Sequence, residues 1–208
     1  MSKFSELLRA TLDGAVSVSD DQMARLEQHY ILLERWNRTL NLTAIRTMED
    51  AVVRHYAESV FLAERIRKLG ESCSAADIGS GAGFPGFPVA VMLPGWTVAL
   101  VESHQRKAVF LRESTRDLPS VSVITGRFED ASGRFDVGVS RAVAWRDLKK
   151  TVVSRVRYIG LLAAAADTPD ILSSPGVAWD APILLPWNSE TTILLGNLGR
   201  NDRLLARL

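Results

Sequence analysis

The sequence predicts an α/β fold, in which a doubly wound, mainly parallel sheet follows an N-terminal helical extension. Residues 1–70 place apolar side chains at helical steps of three and four. Residues 71–208 instead alternate short apolar runs with helix-like segments, which favours parallel strands covered by helices on both faces. With 208 residues, 47% of them hydrophobic, the chain can bury one such domain and carry a small extension. We therefore place the domain boundary between residues 70 and 71.

Three helices are expected in the extension. The first is a short amphipathic segment over residues 4–12. Ser19 and Gln22 form a candidate capping box for the second. Its apolar stripe consists of Leu26, Tyr30, Leu33, Trp36 and Leu40. Thr47 is expected to cap a third, long helix that ends at Gly70. The stripe of that helix consists of Val52, Tyr56, Val60 and Ala63.

Strands and helices are expected to alternate after Cys73. The predicted strands cover residues 75–79, 97–101, 121–125, 137–140 and 158–165. The predicted helices between them cover residues 85–92, 105–116 and 145–153. Two apolar runs remain near the C-terminus, at residues 177–184 and 191–195, and we interpret them as a hairpin at the edge of the sheet.

The composition argues against several classes of protein. The N-terminal segment has charged residues and no sustained apolar core, so we expect no signal peptide. No apolar run reaches the roughly 18 residues that a membrane-spanning helix needs. Cys73 is the single cysteine, and His29, His55 and His104 are scattered, so neither a disulfide nor a metal site is expected. We therefore expect a cytoplasmic protein that does not interact with membranes.

Charge is distributed unevenly although the formal net charge is +1. Residues 141–157 contain six Arg and Lys against one acid, Asp147. Residues 167–190 contain four acids and no Lys or Arg. The sequence is therefore compatible with a basic face toward phosphates, and equally with an ordinary solvated helix surface.

The most informative segment is a glycine-rich loop between the first predicted strand and the helix after it. It reads Asp77-Ile78-Gly79-Ser80-Gly81-Ala82-Gly83-Phe84-Pro85-Gly86. Glycines at alternate positions let the backbone turn sharply and approach a ligand that a Cβ would exclude. The loop follows a strand, at the edge of an open α/β sheet where ligands bind. A ligand site is therefore expected here.

Two ligand classes are compatible with this loop. Gly81, Gly83 and Gly86 match the G-x-G-x-x-G fingerprint of dinucleotide-binding proteins, with Glu102 about twenty residues further on. The wider pattern D-x-G-x-G-x-G begins at Asp77 and favours S-adenosylmethionine. Asp77 is then expected to hold the ammonium group of the ligand, directly or through water, and Glu102 to accept hydrogen bonds from its ribose hydroxyls.

Further short segments surround the loop in a recognisable order. Upstream are Trp36-Asn37, Asn41-Leu42-Thr43-Ala44-Ile45-Arg46, Val53-Arg54-His55 and Glu58-Ser59. Downstream are Phe84-Pro85-Gly86-Phe87-Pro88, Glu102-Ser103, Arg106-Lys107, Phe110-Leu111-Arg112, Gly126-Arg127-Phe128-Glu129, Phe135-Asp136 and Ser140-Arg141-Ala142. Over residues 36–144 these segments resemble the RsmG (GidB) family, whose members methylate a guanine of 16S ribosomal RNA.

Together with the pattern of the loop, the resemblance implies a class I methyltransferase (Rossmann-like) sheet that binds S-adenosyl-L-methionine. The implied substrate is N7 of a guanine in 16S ribosomal RNA of the small ribosomal subunit, and a monomer is expected. The expected cofactor-binding residues are Asp77, Gly79, Gly81, Gly83, Phe84, Glu102, Phe128, Glu129 and Arg141. The expected catalytic residues are Arg127, Arg141 and Glu58.

The implied reaction needs orientation more than acid–base chemistry. Guanine N7 has an in-plane lone pair and no proton, so no general base is required. Orientation alone can lower a barrier by roughly 7–11 kcal/mol. Because positive charge moves onto the purine, we interpret Glu58 as a carboxylate that favours the product. Arg127 and Arg141 are interpreted as anchors for phosphates or the target base.

Two positions differ from the family pattern. Glu58 occupies a position that usually holds aspartate, and residues 161–166 lack the lysine and glycine that usually follow the fifth strand. Two alternative functions stay open, the first because of the G-x-G-x-x-G match and the second because of the missing lysine. One is a nicotinamide-dependent oxidoreductase, and the other is a non-catalytic, ribosome-associated RNA-binding protein with a methyltransferase fold.

Overall fold

A computed structural model describes residues 1–199 and begins with three helical segments, as predicted. Ser19 caps the second segment, and the capping box with Gln22 is present: the Gln22 N–H donates to Ser19 Oγ, and the Ser19 N–H donates to Gln22 Oε1. The elements are α1 (Lys3–Leu12), α2 (Asp20–Leu40), α3 (Met48–Ala51), a π-helix (Val52–Ala57), α4 (Glu58–Ile66) and a 3₁₀ turn (Arg67–Leu69).

The predicted third helix is present and runs without a break from Met48 to Leu69, but residues 52–57 of it form a π-helix that was not predicted. Thr47 does cap it, because its Oγ1 accepts the Asp50 N–H at 3.1 Å. The chain then passes from α3 through the π-helix into α4 before it stops at Gly70. All four stripe residues are buried, so the apolar spacing did not distinguish the two geometries. A π turn holds an extra residue, which rotates the side chains that follow it, and such turns are frequent at functional sites.

Within residues 1–199 the sheet contains eight strands, and the first five are parallel. Its order is β3-β2-β1-β4-β5-β8-β6, with β7 also paired to β8, and β8 runs antiparallel to β5. The strands are β1 (Ser74–Ile78), β2 (Thr97–Glu102), β3 (Val121–Thr125), β4 (Phe135–Arg141), β5 (Val156–Ala164), β6 (Ala178–Trp179), β7 (Ile183–Leu185) and β8 (Asn188–Asn197). The helices are α5 (Gly86–Met92), α6 (Gln105–Ser114), α7 (Trp145–Val152) and α8 (Thr168–Leu172). The predicted alternation is confirmed.

The predicted strand over residues 177–184 is wrong in its extent. The structure divides it into β6 and β7, which both pair antiparallel with β8. The chain between them is Asp180-Ala181-Pro182, and proline has no N–H to donate to a ladder. The hairpin itself is present. A short turn that contains Trp187 joins β7 to β8, and the pair of residues nearest to this turn is Leu185 and Asn188.

Two hydrophobic clusters cover the two faces of the sheet. One joins α1, α2, α4 and α5 to Ala75, Val98 and Leu100, and the other joins α7 and α8 to Ala76 and Val101. Adjacent residues of a strand point to opposite faces, so the sheet is doubly wound as predicted. The helical extension shares its core with the sheet, and the boundary at residue 70 remains a prediction. Residues 200–208 of the predicted second domain lie outside the described residues. No helix within residues 1–199 is long and apolar enough to cross a membrane.

Candidate functional site

The glycine loop turns at the carboxyl end of β1, where the sequence places it. Gly79, Gly81 and Gly83 have φ of +76°, +57° and +93°, conformations that residues with a Cβ rarely adopt. The N–H groups of Gly79 and Ser80 both donate to the Val101 carbonyl at 3.0 Å, which ties the loop to β2. A Cβ on Gly79 would lie 2.7 Å from Cγ2 of Val143, so the loop also abuts the turn after β4.

Asp77 lies fully buried beneath this loop. Its Oδ2 accepts the Gly86 N–H at 3.0 Å, whereas Oδ1 has no hydrogen-bond partner among residues 1–199. Burial raises the pKa of Asp77 to about 7, although the Ser80 hydroxyl and the Gly86 N–H lower it in part. A buried acceptor without a partner is costly, and a donor on a bound ligand would satisfy it.

Glu102 ends β2 directly opposite the loop and is also buried. Its Oε2 accepts the Gly81 N–H at 2.8 Å, and its Oε1 accepts the His104 N–H at 2.7 Å. The carboxylate therefore fixes the shape of the loop, a role that the sequence did not suggest. Since a carboxylate offers about four acceptor sites, two remain for hydroxyl groups.

An aromatic cluster supports the far side of the loop. The Phe84 ring is buried and stacks on His55, with centroids 4.5 Å apart, while His29 stacks on Phe87 at 4.1 Å. His55 Nε2 lies 2.8 Å from Thr43 Oγ1, and His29 Nδ1 lies 2.7 Å from the Tyr56 hydroxyl. Burial lowers the pKa of both histidines to about 3, so both are neutral. Within residues 1–199, no three His, Cys, Asp or Glu side chains are grouped to hold a metal ion.

Of the three predicted site residues that follow β3, one is buried and two are exposed. Phe128 is buried in the second cluster, with its ring 6.0 Å from that of Phe135. Arg127 and Glu129 are exposed, and the Glu129 carbonyl accepts a hydrogen bond from Arg155 at 2.7 Å. Because β3 is parallel to β2, this loop reaches the same edge of the sheet as the glycine loop.

Glu58 and Arg141 form an ion pair at the carboxyl end of β4. The Glu58 side chain is 0% exposed and the Arg141 side chain 16%. Glu58 Oε2 accepts from Arg141, and Glu58 Oε1 accepts from Asn188 Nδ2 at 2.6 Å. Two of the three side chains predicted as catalytic, Glu58 and Arg141, are therefore partners. Asn188 was not predicted from the sequence, because no local motif marks it.

A cleft of about 920 Å³ opens beyond this pair, over the carboxyl ends of β4 and β5. Its floor includes the apolar end of β5, and its rim carries cations from α7. Four of the six basic residues in 141–157 line it: Arg141, Arg146, Lys149 and Lys150. Arg155 instead donates to the Ala131 and Glu129 carbonyls. Arg127 and the glycine loop are not part of the lining, but Val143 is, and it contacts Gly79.

The structure thus assembles two adjoining half-sites. Asp77, the three glycines and Glu102 lie at the ends of β1 and β2. Arg141, with Glu58 behind it, faces the cleft over β4 and β5. Phe84 belongs to the loop, but its ring packs into the aromatic cluster.

Comparison with known proteins agrees with this arrangement. The profile of the family described as rRNA small subunit methyltransferase G (GidB) matches residues 22–164. Ribosomal RNA small subunit methyltransferase G of Burkholderia thailandensis is 39% identical over 152 residues, which cover 67% of this chain and 66% of the relative. The protein of the same name from Burkholderia pseudomallei is 38% identical over the same shares. The match thus spans slightly less than two thirds of these relatives.

Solved structures share the fold at low sequence identity. An O-methyltransferase from Bacillus cereus in complex with SAH has a TM-score of 0.62 at 14% identity, covering 93% of this chain and 98% of that one. Magnesium protoporphyrin IX methyltransferase from Synechocystis, with bound SAM, has a TM-score of 0.59 at 16% identity, covering 88% and 98%. The predicted methyltransferase fold and the predicted resemblance are confirmed, and the chain belongs to the rRNA small subunit methyltransferase G (GidB) family.

Proposed function

We propose that this protein transfers the methyl group of S-adenosyl-L-methionine to N7 of a guanine in 16S ribosomal RNA of the small subunit. The observation that carries the proposal is the junction of the two half-sites, where Gly79 touches Val143. A donor over the glycine loop would lie beside a cleft lined by five Arg and Lys side chains and three acids, an excess of positive charge that suits phosphate groups. Family membership and the relatives' names support ribosomal RNA as the acceptor.

The residues of the first half-site fit S-adenosylmethionine. Asp77 Oδ1 would accept a hydrogen bond from the donor's ammonium group, directly or through water, and Glu102 has acceptor sites left for two ribose hydroxyls. The glycines leave the loop without side chains that would obstruct the ligand. Phe128 and Glu129 would flank the adenine. The two solved methyltransferases of this fold hold SAH and SAM, which supports the same ligand here.

The second half-site would orient the target base. S-adenosylmethionine supplies a methyl group on a positively charged sulfur, which the N7 lone pair can take without a general base. Arg141, at the junction of the half-sites, would anchor the base or its phosphate, and Arg127 would contact RNA from the exposed loop. Glu58, whose charge is already balanced by Arg141, would hold that guanidinium in place rather than act on the purine itself. RNA is commonly read in single-stranded loops, which a cleft of this size admits.

A labelling experiment tests the reaction, the donor and the acceptor together. Small ribosomal subunits that lack the modification are incubated with the protein and methyl-labelled S-adenosylmethionine, and the RNA is digested. We expect label in 7-methylguanine at one position, and none with Asp77→Ala. Donor binding without any label in RNA would contradict the proposed reaction and would favour the non-catalytic RNA-binding alternative. Reduction of NAD with a substrate, and no stabilisation by S-adenosylhomocysteine, would favour the oxidoreductase.

The raised pKa of Asp77 predicts a pH-dependent affinity for S-adenosylhomocysteine. The ligand's ammonium group favours the ionised carboxylate, which forms as the pH rises through about 7. Affinity should therefore increase up to about tenfold per pH unit between pH 5.5 and 7, and then level off. Calorimetric titration of the wild type and Asp77→Asn measures this. The variant should bind weakly at every pH, and an equal slope in both proteins would remove Asp77 from the ammonium site.

We also propose a cytoplasmic monomer. A single cysteine is consistent with a reducing compartment, and RNA of the small ribosomal subunit is a cytoplasmic substrate in bacteria. Light scattering of the full chain measures the oligomeric state, and a dimer mass at micromolar concentration would contradict this part of the proposal.

A further inference from the structure

Glu58 is fully buried behind the cleft, and both of its oxygens are engaged. Arg141 binds Oε2, and the Asn188 amide binds Oε1 at 2.6 Å. The three residues come from α4, β4 and β8, and the two contacts join positions 83 and 130 residues apart. A carboxylate this well enclosed has its orientation set by its partners.

The orientation of the Asn188 amide is fixed in turn. Its Oδ1 accepts the Glu190 N–H at 2.9 Å, so Nδ2 is the end that faces Glu58. Nδ2 also lies 3.4 Å from Thr191 Oγ1. The turn between β7 and β8 thus presents one well-defined donor to the carboxylate. Asn188 is not part of the cleft lining, which includes Arg141, Glu190 and Thr191.

We propose that Asn188 is a positioning residue, which acts through Glu58 to hold the Arg141 guanidinium at the junction of the donor loop and the cleft. The inference rests on the proposed function and extends it to the C-terminal hairpin. With Oε1 held by Asn188, the Glu58 carboxylate cannot rotate away from Arg141. Without that hydrogen bond, the carboxylate and the guanidinium both gain freedom, and the arginine loses its fixed direction into the cleft.

The charged and titratable groups around Glu58 do not replace the hydrogen bond from Asn188. Arg54, on the π-helix, pairs with Glu190 at 3.6 Å on the exposed side. His55, one turn before Glu58, is neutral because burial and the nearby Arg141 and Arg54 lower its pKa to about 3. Neither group donates a hydrogen bond to Glu58 within residues 1–199, so the Asn188 amide is the neutral donor of this arrangement.

Two substitutions separate this role from a general loss of stability. Asn188→Ala removes the amide donor, and we expect kcat to fall by up to about 100-fold, the cost of misplacing a positioning group by about 1 Å, with an unchanged KM for the methyl donor. Asn188→Asp keeps the shape but sets two carboxylates against each other, so one of them takes up a proton at a raised pKa. Relative to wild type, its kcat should be low at pH 8.5. It should recover at least about tenfold toward pH 6, where the shared proton replaces the amide hydrogen.

A second readout does not depend on turnover. In ¹⁵N spectra we expect a slowly exchanging guanidinium signal that disappears in Arg141→Lys, which assigns it, and that is also lost in Asn188→Ala. Asn197→Asp serves as the matched control. Asn197 lies on the same strand, where its Oδ1 accepts the Gly199 N–H at 2.9 Å, and this variant should keep the wild-type kcat and the wild-type Arg141 signal. Wild-type kcat and an unaltered Arg141 signal in Asn188→Ala would overturn the inference. A wild type that does not methylate RNA would count against the proposed function, and the Arg141 signal would still decide the role of Asn188.

Discussion

Replacing Gly86 with alanine is expected to lower the affinity for S-adenosylhomocysteine by about 100-fold, or about 2.7 kcal/mol. A Cβ at this position would lie 2.4 Å from Leu100 Cδ2, 2.5 Å from Asp77 Cβ and 2.6 Å from Asp77 Oδ2. Carbon atoms pack at about 3.5–4.0 Å, so helix α5, Leu100 or Asp77 must move by about 1 Å. Asp77 cannot move without disturbing the glycine loop, because its Oδ2 binds the Gly86 N–H.

Calorimetry with S-adenosylhomocysteine measures this effect, and thermal unfolding reports the accompanying overpacking, which costs about 1–3 kcal/mol. Gly133→Ala is the control. Gly133 has φ of +89° and nothing within 4 Å of its Cβ position, so alanine there adds backbone strain without an overlap. Near-normal affinity in Gly86→Ala, with the fold intact, would mean that the loop tolerates displacement of Asp77 and that the proposed ammonium site is wrong.

The parts of the molecule that the sequence predicted are those with local causes. Alternating apolar runs define the five parallel strands, and the Ser19 capping box defines the start of α2. The glycine loop is predictable because its residues are consecutive, and its positive φ angles require the glycines that mark it. A continuous segment of this kind carries its own geometry, so the fold class and the conformation of the loop followed from the sequence.

Features that depend on distant contacts were not predictable in the same way. The apolar stripe from Val52 to Ala63 fits an α-helix, and the π-helix within it changes the direction of Glu58 without changing the pattern. Sequence order separates Glu58 from Arg141 by 83 residues and from Asn188 by 130. No periodicity reports such a contact. Glu58 was therefore predicted as a catalytic carboxylate, and its pairing with Arg141 emerged from the fold.

Replacing Arg141 with methionine is expected to lower the free energy of unfolding by about 3–5 kcal/mol and to reduce the proposed methylation below detection. Methionine keeps the apolar stem but leaves Glu58, which is 0% exposed, with the Asn188 amide as its remaining partner. Removing one member of a buried ion pair leaves an uncompensated charge, and that charge causes most of the loss. Urea unfolding measures the change. Arg116→Met breaks an exposed pair, in which Arg116 and Glu113 are 70% and 42% exposed, and should cost less than about 1 kcal/mol.

A double substitution tests whether this pair serves stability or the site. Glu58→Leu combined with Arg141→Met removes both charges, so most of the stability lost in Arg141→Met should return, with a coupling energy of about 2 kcal/mol or more. Methylation should not return, because the cleft still lacks the guanidinium that lines it. Additive losses of stability would show that the two charges are independent and would contradict the burial argument. Restored stability without activity would mean that the ion pair is retained for the chemistry of the cleft, since an apolar pair holds α4 and β4 together equally well.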